Sequence, residues 1–230
     1  MIRTAMILAA GRGERMRPLT DATPKPLIPV AGRCMLDRAM ARLAEHGVSE
    51  VVINVHHLGE QIARHVDGHA TVVREERLLE TGGSVKNALP LLGDGPFFVL
   101  NGDGLWQDGR IPMLARMEAA WDPARMDALL LLHPLDKTIG REARDRGDYF
   151  LAPDGRARHR GTADRAPYYF ASVSICDRRL FQDSPDGPFS LLKLWIRAEG
   201  QGRLHGLVHD GQWFHVGTTH ALGEAEGALR

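Results

Sequence analysis

Apolar positions follow two rhythms along this chain. Short continuous runs occupy 5–9, 51–55, 97–101 and 128–133. A run of that length without polar alternation predicts a strand buried on both faces. Between these runs the spacing changes to three and four. Leu36, Met40 and Leu43 predict a helix over 35–45, stopped by Gly47. Leu58, Ile62 and Val66 predict a second helix, and 71–74 a short strand. Segments 84–92, closed by Gly93, and 112–120 predict two more helices.

Strand and helix alternate to residue 133, which predicts a parallel sheet with helices on both faces. The rhythm then changes. Tyr149–Leu151 and the segment after Asp154-Gly155 read as a hairpin, because Asp-Gly makes a tight two-residue turn. A strand at 169–175, a helix at 189–199 and two strands at 204–209 and 213–216 around Asp210-Gly211 follow. Leu222, Ala225 and Leu229 mark a C-terminal helix. Neither a repeat nor a linker divides the 230 residues. We expect one α/β domain over 1–230, a nucleotide-binding half (1–133) followed by a half that adds antiparallel strands (134–230).

Composition narrows the possibilities. Apolar residues are 43% and charged residues 25%, which excludes a disordered chain. Lys plus Arg equals Asp plus Glu at 29 each, so no basic excess supports nucleic-acid or membrane-surface binding. Two cysteines, Cys34 and Cys176, fit a reducing compartment and argue against a cysteine-built metal cluster. Cys34 has no cluster of charges beside it in sequence, so it reads as an inert thiol. The first apolar run is too short for a signal segment and no run spans a bilayer, so we expect a cytoplasmic protein.

Chemistry concentrates near the N-terminus. Residues 1–26 carry five positive and two negative side chains. Within them the first strand runs into Ala9-Ala10-Gly11-Arg12-Gly13-Glu14-Arg15. Two glycines after a buried strand form a nest of backbone N–H groups suited to phosphate. Arg15 adds a planar donor fork. The loop is not a Walker loop, because Glu14-Arg15 follows Gly13 where Lys-Ser/Thr is required. Nor is it a dinucleotide fingerprint, because Met16 holds the place of the third glycine. Then comes Thr23-Pro24-Lys25-Pro26, whose prolines predict a stiff, extended segment that immobilises Lys25. Asp103 ends a buried strand after Asn101-Gly102, where a carboxylate can hold Mg²⁺. His56 and His57 point to opposite faces, a poor arrangement for a metal pair. Trp195 and Trp213 read as core.

The motif L-A-A-G-x-G-x-R-M-x-P-L-T, followed by T-P-K-P-L-x-P-V, resembles the signature of the sugar-1-phosphate nucleotidyltransferases. The resemblance continues through Glu80-Thr81-Gly82-Gly83, Asn101-Gly102-Asp103 and Trp213-x-x-Val216-Gly217-Thr218. The short form, without a C-terminal β-helix, is similar to the N-acetylmuramate-1-phosphate uridylyltransferases of peptidoglycan recycling. It implies a Rossmann-like α/β/α sandwich with a mixed, mainly parallel sheet. It also implies joining a nucleoside triphosphate to a sugar 1-phosphate with release of pyrophosphate.

Catalytic roles then fall to Arg15, Lys25 and Asp103. Nucleotide contacts fall to Ala9, Ala10, Gly11, Arg12, Gly13, Lys25 and Gly82, the last in a flexible glycine pair. Sugar-phosphate contacts fall to Glu80, Asn101, Gly147 and Asp148. Asp103 and His215 would hold the metal. His215 departs from the family pattern, in which an acid precedes Val-Gly-Thr. Imidazole suits Mn²⁺ or Co²⁺ better than Mg²⁺. Mannose-1-phosphate guanylyltransfer, glucose-1-phosphate uridylyl- or thymidylyltransfer, and a non-catalytic nucleotide-sugar sensor remain as alternatives.

Overall fold

The computed structural model describes residues 1–229. In chain order the elements are β1 (Thr4–Leu8), α1 (Leu19–Ala22), β2 (Pro29–Val30), β3 (Arg33–Cys34), α2 (Met35–His46), β4 (Glu50–Val55), α3 (Gly59–His65) and β5 (Thr71–Arg74). Then follow α4 (Glu80–Ala88), β6 (Phe97–Asn101), β7 (Leu105–Gln107), α5 (Met113–Ala120), β8 (Ala128–Pro134), β9 (Tyr149–Leu151) and β10 (Ala157–His159). The chain ends with β11 (Tyr168–Cys176), α6 (Leu191–Gly200), β12 (Leu204–Val208), β13 (Gln212–Phe214) and α7 (Thr219–Leu229).

Among the described residues nine strands form the main sheet. Its order is β10-β9-β11-β6-β1-β4-β5, with β8 paired to β11 and β12. Strands β6, β1, β4 and β5 are parallel. Side chains alternate between two cores, as strand geometry requires. Ile7, Ile53, Phe98, Leu100 and Leu131 face α2, α3 and α5. Met6, Val52, Phe97, Val99 and Leu130 face α4 and α6. This is a three-layer α/β/α sandwich, and both Trp195 and Trp213 are buried in it. A third cluster, containing Met16, Val30, Met35, Leu105, Phe214 and Ala225, ties the N-terminal loop to β7, β13 and α7.

Four expectations need correction. Strand β8 does not extend the parallel sheet from β6; the nine-residue β11 lies between them, antiparallel to both. Segments 204–209 and 213–216 do not form a hairpin. Strand β12 runs parallel to β8, while β13 leaves the sheet to pair with β7. Asp210 instead accepts a hydrogen bond from Arg116 on α5. Helix α4 begins at Glu80 rather than Ser84, so the Gly82-Gly83 pair lies in its first turn. Lys25 is not in an extended segment: Pro24 is extended, but Lys25–Leu27 make a 3₁₀ turn, with Pro26 inside it. None of the described helices is long and apolar enough to cross a membrane.

Candidate active site

A cleft of about 600 Å³ opens at the C-terminal ends of β1, β4 and β6. Strand β1 lies between β4 and β6, and the chain leaves β1 to one side and returns through α4 to the other. Open parallel sheets bind ligands at such a reversal. The loop from Ala9 to Met16 lines one wall, with Lys25, Asn101, Asp103 and Gly217 beside it. Glu80, Thr81 and Ser84, from the start of α4, line the opposite wall.

The two loop glycines have different reasons to be glycine. Gly13 has φ +64°, and a Cβ there would lie 2.8 Å from Thr20 Cγ2. Its carbonyl accepts hydrogen bonds from the Met16 N–H and the Thr20 hydroxyl. Gly13 therefore shapes the turn. A Cβ at Gly11 would meet no protein atom within 4 Å. Protein packing gives no reason for glycine at that position, and it faces the cleft. The Ala9 N–H is already donated to Asn54 Oδ1 (2.9 Å), so Ala9 does not offer that group to a ligand.

Lys25 Nζ and Asp103 Oδ2 form a close ion pair with only 11% of the lysine side chain exposed. Gly102 places Asp103 by packing against β1: its N–H donates to the Leu8 carbonyl at 2.8 Å. Arg15 reaches Gly217, where a Cβ would lie 3.1 Å from the guanidinium and 2.8 Å from His215 Nε2. Gly217 thus lets Arg15 and His215 converge. His215 stacks on Tyr169 at 5.5 Å. Burial, chiefly, holds its imidazole below the usual histidine range, with Asp145, Arg15, Asp103 and Lys25 close enough to bear on it. A neutral ring keeps a lone pair available. Asp103 lines the cleft, while His215 does not line it and stands behind Gly217; a carboxylate and an imidazole are donors that a divalent cation accepts.

The other expected residues lie differently. Arg12 is on the rim and exposed. Glu80 lines the cleft from a backbone with φ +57°, unusual for a residue with a Cβ. Gly82 does not line the cleft. Gly82 and Gly83 donate to the Phe189 carbonyl (2.8 and 3.0 Å), and a Cβ on Gly82 would overlap the Phe189 ring. The pair is a packing surface for 187–189 and not a flexible ligand loop. Gly147 and Asp148 also stand outside the cleft. The Asp148 carboxylate accepts the Phe170 N–H at 3.0 Å, and burial pushes its carboxyl up.

A buried network escaped sequence reading. Glu75 accepts from Asn54 Nδ2 (2.9 Å), from the Ser84 hydroxyl (2.6 Å) and from the Leu79 N–H (3.1 Å). Glu75 and Asn54 are 7% and 2% exposed, so the chain Ala9–Asn54–Glu75–Ser84 is a rigid polar tie across the cleft floor. Residues 54, 75 and 84 carry no sequence signal, because the spacing has meaning only once β4, β5 and α4 are adjacent. His56 and His57 bond different carbonyls, those of Glu75 and Thr20.

Residues 4–134 match the nucleotidyl transferase family. The chain is 41% identical, over 99% of its length and 97% of the relative's, to the N-acetylmuramate alpha-1-phosphate uridylyltransferase of Caulobacter vibrioides. It is 39% identical to the enzyme of that name from Neisseria meningitidis serogroup B, over 96% of each chain. Among solved structures, HddC from Yersinia pseudotuberculosis superposes with a TM-score of 0.78 over 99% of this chain and 100% of its own, at 20% identity, a likeness of fold. The chain therefore belongs to the nucleotidyl transferase family.

Proposed function

We propose that this protein transfers the uridylyl group of UTP to N-acetylmuramate 1-phosphate, producing the nucleotide-sugar and pyrophosphate. The reading rests above all on the near full-length identity to uridylyltransferases of that acceptor. It is supported by a cleft in which Arg15, Lys25 and Asp103 converge beside a glycine open to a ligand. An ionised phosphate oxygen of the sugar attacks the α-phosphorus. The new P–O bond forms as the bond to the β-phosphate breaks and pyrophosphate leaves. The attacking oxygen carries no proton at neutral pH, so no protein base is required. Catalysis is positioning and charge neutralisation.

In this reading the loop from Ala10 to Gly13 and Arg15 hold the triphosphate. Lys25 faces the phosphates that react, and it exchanges its present partner Asp103 for them. Asp103, freed from Lys25, and His215 would hold a divalent cation, which supplies positive charge against the α-phosphate. Asn101 and Glu80 border the space left for the sugar phosphate. With His215 in place of an acid, Mn²⁺ or Co²⁺ serves at least as well as Mg²⁺.

The deciding experiment crosses four nucleoside triphosphates with a panel of sugar 1-phosphates and measures pyrophosphate release. UTP with N-acetylmuramate 1-phosphate is expected to give the highest kcat/KM. If GTP with mannose 1-phosphate is at least ten times more efficient, both base and acceptor are wrongly assigned. If no pair releases pyrophosphate, the chain is a sensor.

A further inference from the structure

The fold brings together three side chains that play no part in the cleft. Cys34, Asp37 and His65 each offer one donor atom, and the three atoms lie within 4.8 Å of one another. Cys34 is the N-cap of α2 and Asp37 lies in its first turn. His65 is the last residue of α3. None of the three lines the cleft. This changes the sequence expectation for Cys34, because the charged partners lie three and 31 positions away.

The geometry decides between three roles. A nucleophilic triad requires the acid on one ring nitrogen and the thiol on the other. Here His65 Nε2 faces both, Asp37 Oδ1 at 2.6 Å and Cys34 Sγ at 3.8 Å. One nitrogen cannot relay a proton between them. Burial also pushes the Cys34 thiol up to about 11, far from a reactive thiolate. A simple ion pair of Asp37 with His65 explains two of the residues, and Cys34 Sγ caps α2 by accepting the Asp37 N–H at 3.4 Å, but neither role calls for the sulfur to lie 3.8 Å from the same His65 nitrogen. Three different donors gathered within 4.8 Å of one another can hold a metal ion.

The spacing is close to what a cation needs. Tetrahedral Zn²⁺, with Zn–S about 2.3 Å and Zn–N or Zn–O about 2.0 Å, sets S···N near about 3.5 Å and N···O near about 3.3 Å. The sulfur, 3.8 Å from the ring nitrogen, needs to close by only about 0.3 Å. Asp37 and His65 need to part by less than an ångström, which follows when a cation replaces the proton between them. Asp37 and His65 side chains are each 38% exposed, giving an entry path and room for a water ligand, while Cys34 is 8% exposed.

We propose that Cys34, Asp37 and His65 form a second metal site for a thiophilic divalent cation such as Zn²⁺ or Co²⁺. Binding deprotonates the thiol: the S–H bond is replaced by a sulfur–metal bond and one proton passes to solvent. The bound ion clamps the start of α2 to the end of α3.

The test adds Co²⁺ to metal-free protein and follows the sulfur-to-cobalt charge-transfer absorption. Oxygen and nitrogen ligands in the cleft cannot produce that band. We expect saturation at one equivalent, displacement by Zn²⁺, and a rise in unfolding temperature with Zn²⁺. Cys34→Ser should abolish the band and the temperature rise; serine is itself a good helix cap, so the fold stands. His65→Ala should weaken Co²⁺ binding at least tenfold, and Cys176→Ser should leave it unchanged. Absence of the band in the native protein overturns the proposal. So does its survival in Cys34→Ser, or undiminished affinity in His65→Ala.

Discussion

Replacing Lys25 with Met removes one positive charge from the cleft and keeps most of the side chain's bulk. The lysine is 11% exposed and its partner Asp103 35% exposed, so solvent screens the pair from one side only. With an effective dielectric of about 20, a unit charge about 4 Å from a phosphate oxygen is worth about 4 kcal/mol. That interaction tightens as charge shifts to the leaving pyrophosphate, so most of it is felt in the transition state. We expect kcat to fall by about 10²–10³-fold, the range found when one preorganised donor is removed. The effect on folding is much smaller. A pair with one partner a third exposed contributes at most about 1 kcal/mol, or about 2–4 °C in Tm for a chain of this size. Pyrophosphate release under saturating substrates gives kcat, and thermal unfolding of the same preparation gives Tm. Asp103→Asn should lose activity to a similar degree, with part restored by excess divalent cation. A kcat loss below tenfold for Lys25→Met would refute the argument. A large fall in Tm with proportionate loss of activity would make Lys25 a structural residue.

Gly11→Ala should leave stability within about 1 kcal/mol of native while raising KM for the nucleotide at least tenfold, because its Cβ enters ligand space only. Gly82→Ala should do the reverse, destabilising by about 1–3 kcal/mol through the Phe189 ring and carbonyl; measured Tm and KM together decide both. His215→Asp should move metal preference from Mn²⁺ or Co²⁺ toward Mg²⁺, and unchanged metal dependence in His215→Ala would remove the residue from the site. Burial, with His209 adding repulsion, pushes buried His133 down to about 4, below its unfolded value of 6.5. The unfolded chain therefore takes up the proton first as pH falls, and about 3 kcal/mol of stability is lost between pH 6.5 and 4. Denaturant unfolding at pH 7 and pH 4.5 should show this slope, and a His133→Asn protein should show a shallower one.

Sequence reading found those parts of the molecule whose signal is local. Strands β1, β4, β6 and β8 are apolar runs because both faces are covered, and they were legible for that reason. The loop through Arg15 was legible because its motif is contiguous. Strands β7 and β13 were not both found: β7 is three residues long and its partner is over 100 positions away. The 3₁₀ turn at Lys25 hid behind prolines that suit either an extended or a turned backbone. Gly82 was misread because a glycine needed for packing and one needed for a ligand look alike in sequence. The Asn54–Glu75–Ser84 tie and the Cys34–Asp37–His65 group are both products of tertiary assembly.

The place of β11 has a consequence for synthesis of the chain. Among the described residues β8 pairs only with β11 and β12, and both come after it in sequence. From residue 134 until residue 168 emerges, a nearly unbroken leucine-rich strand has no neighbour on either edge. During that interval it is an unprotected edge of the kind that joins with other chains. A fragment ending at 134 keeps the loop, Lys25 and Asp103, yet should collect as aggregate.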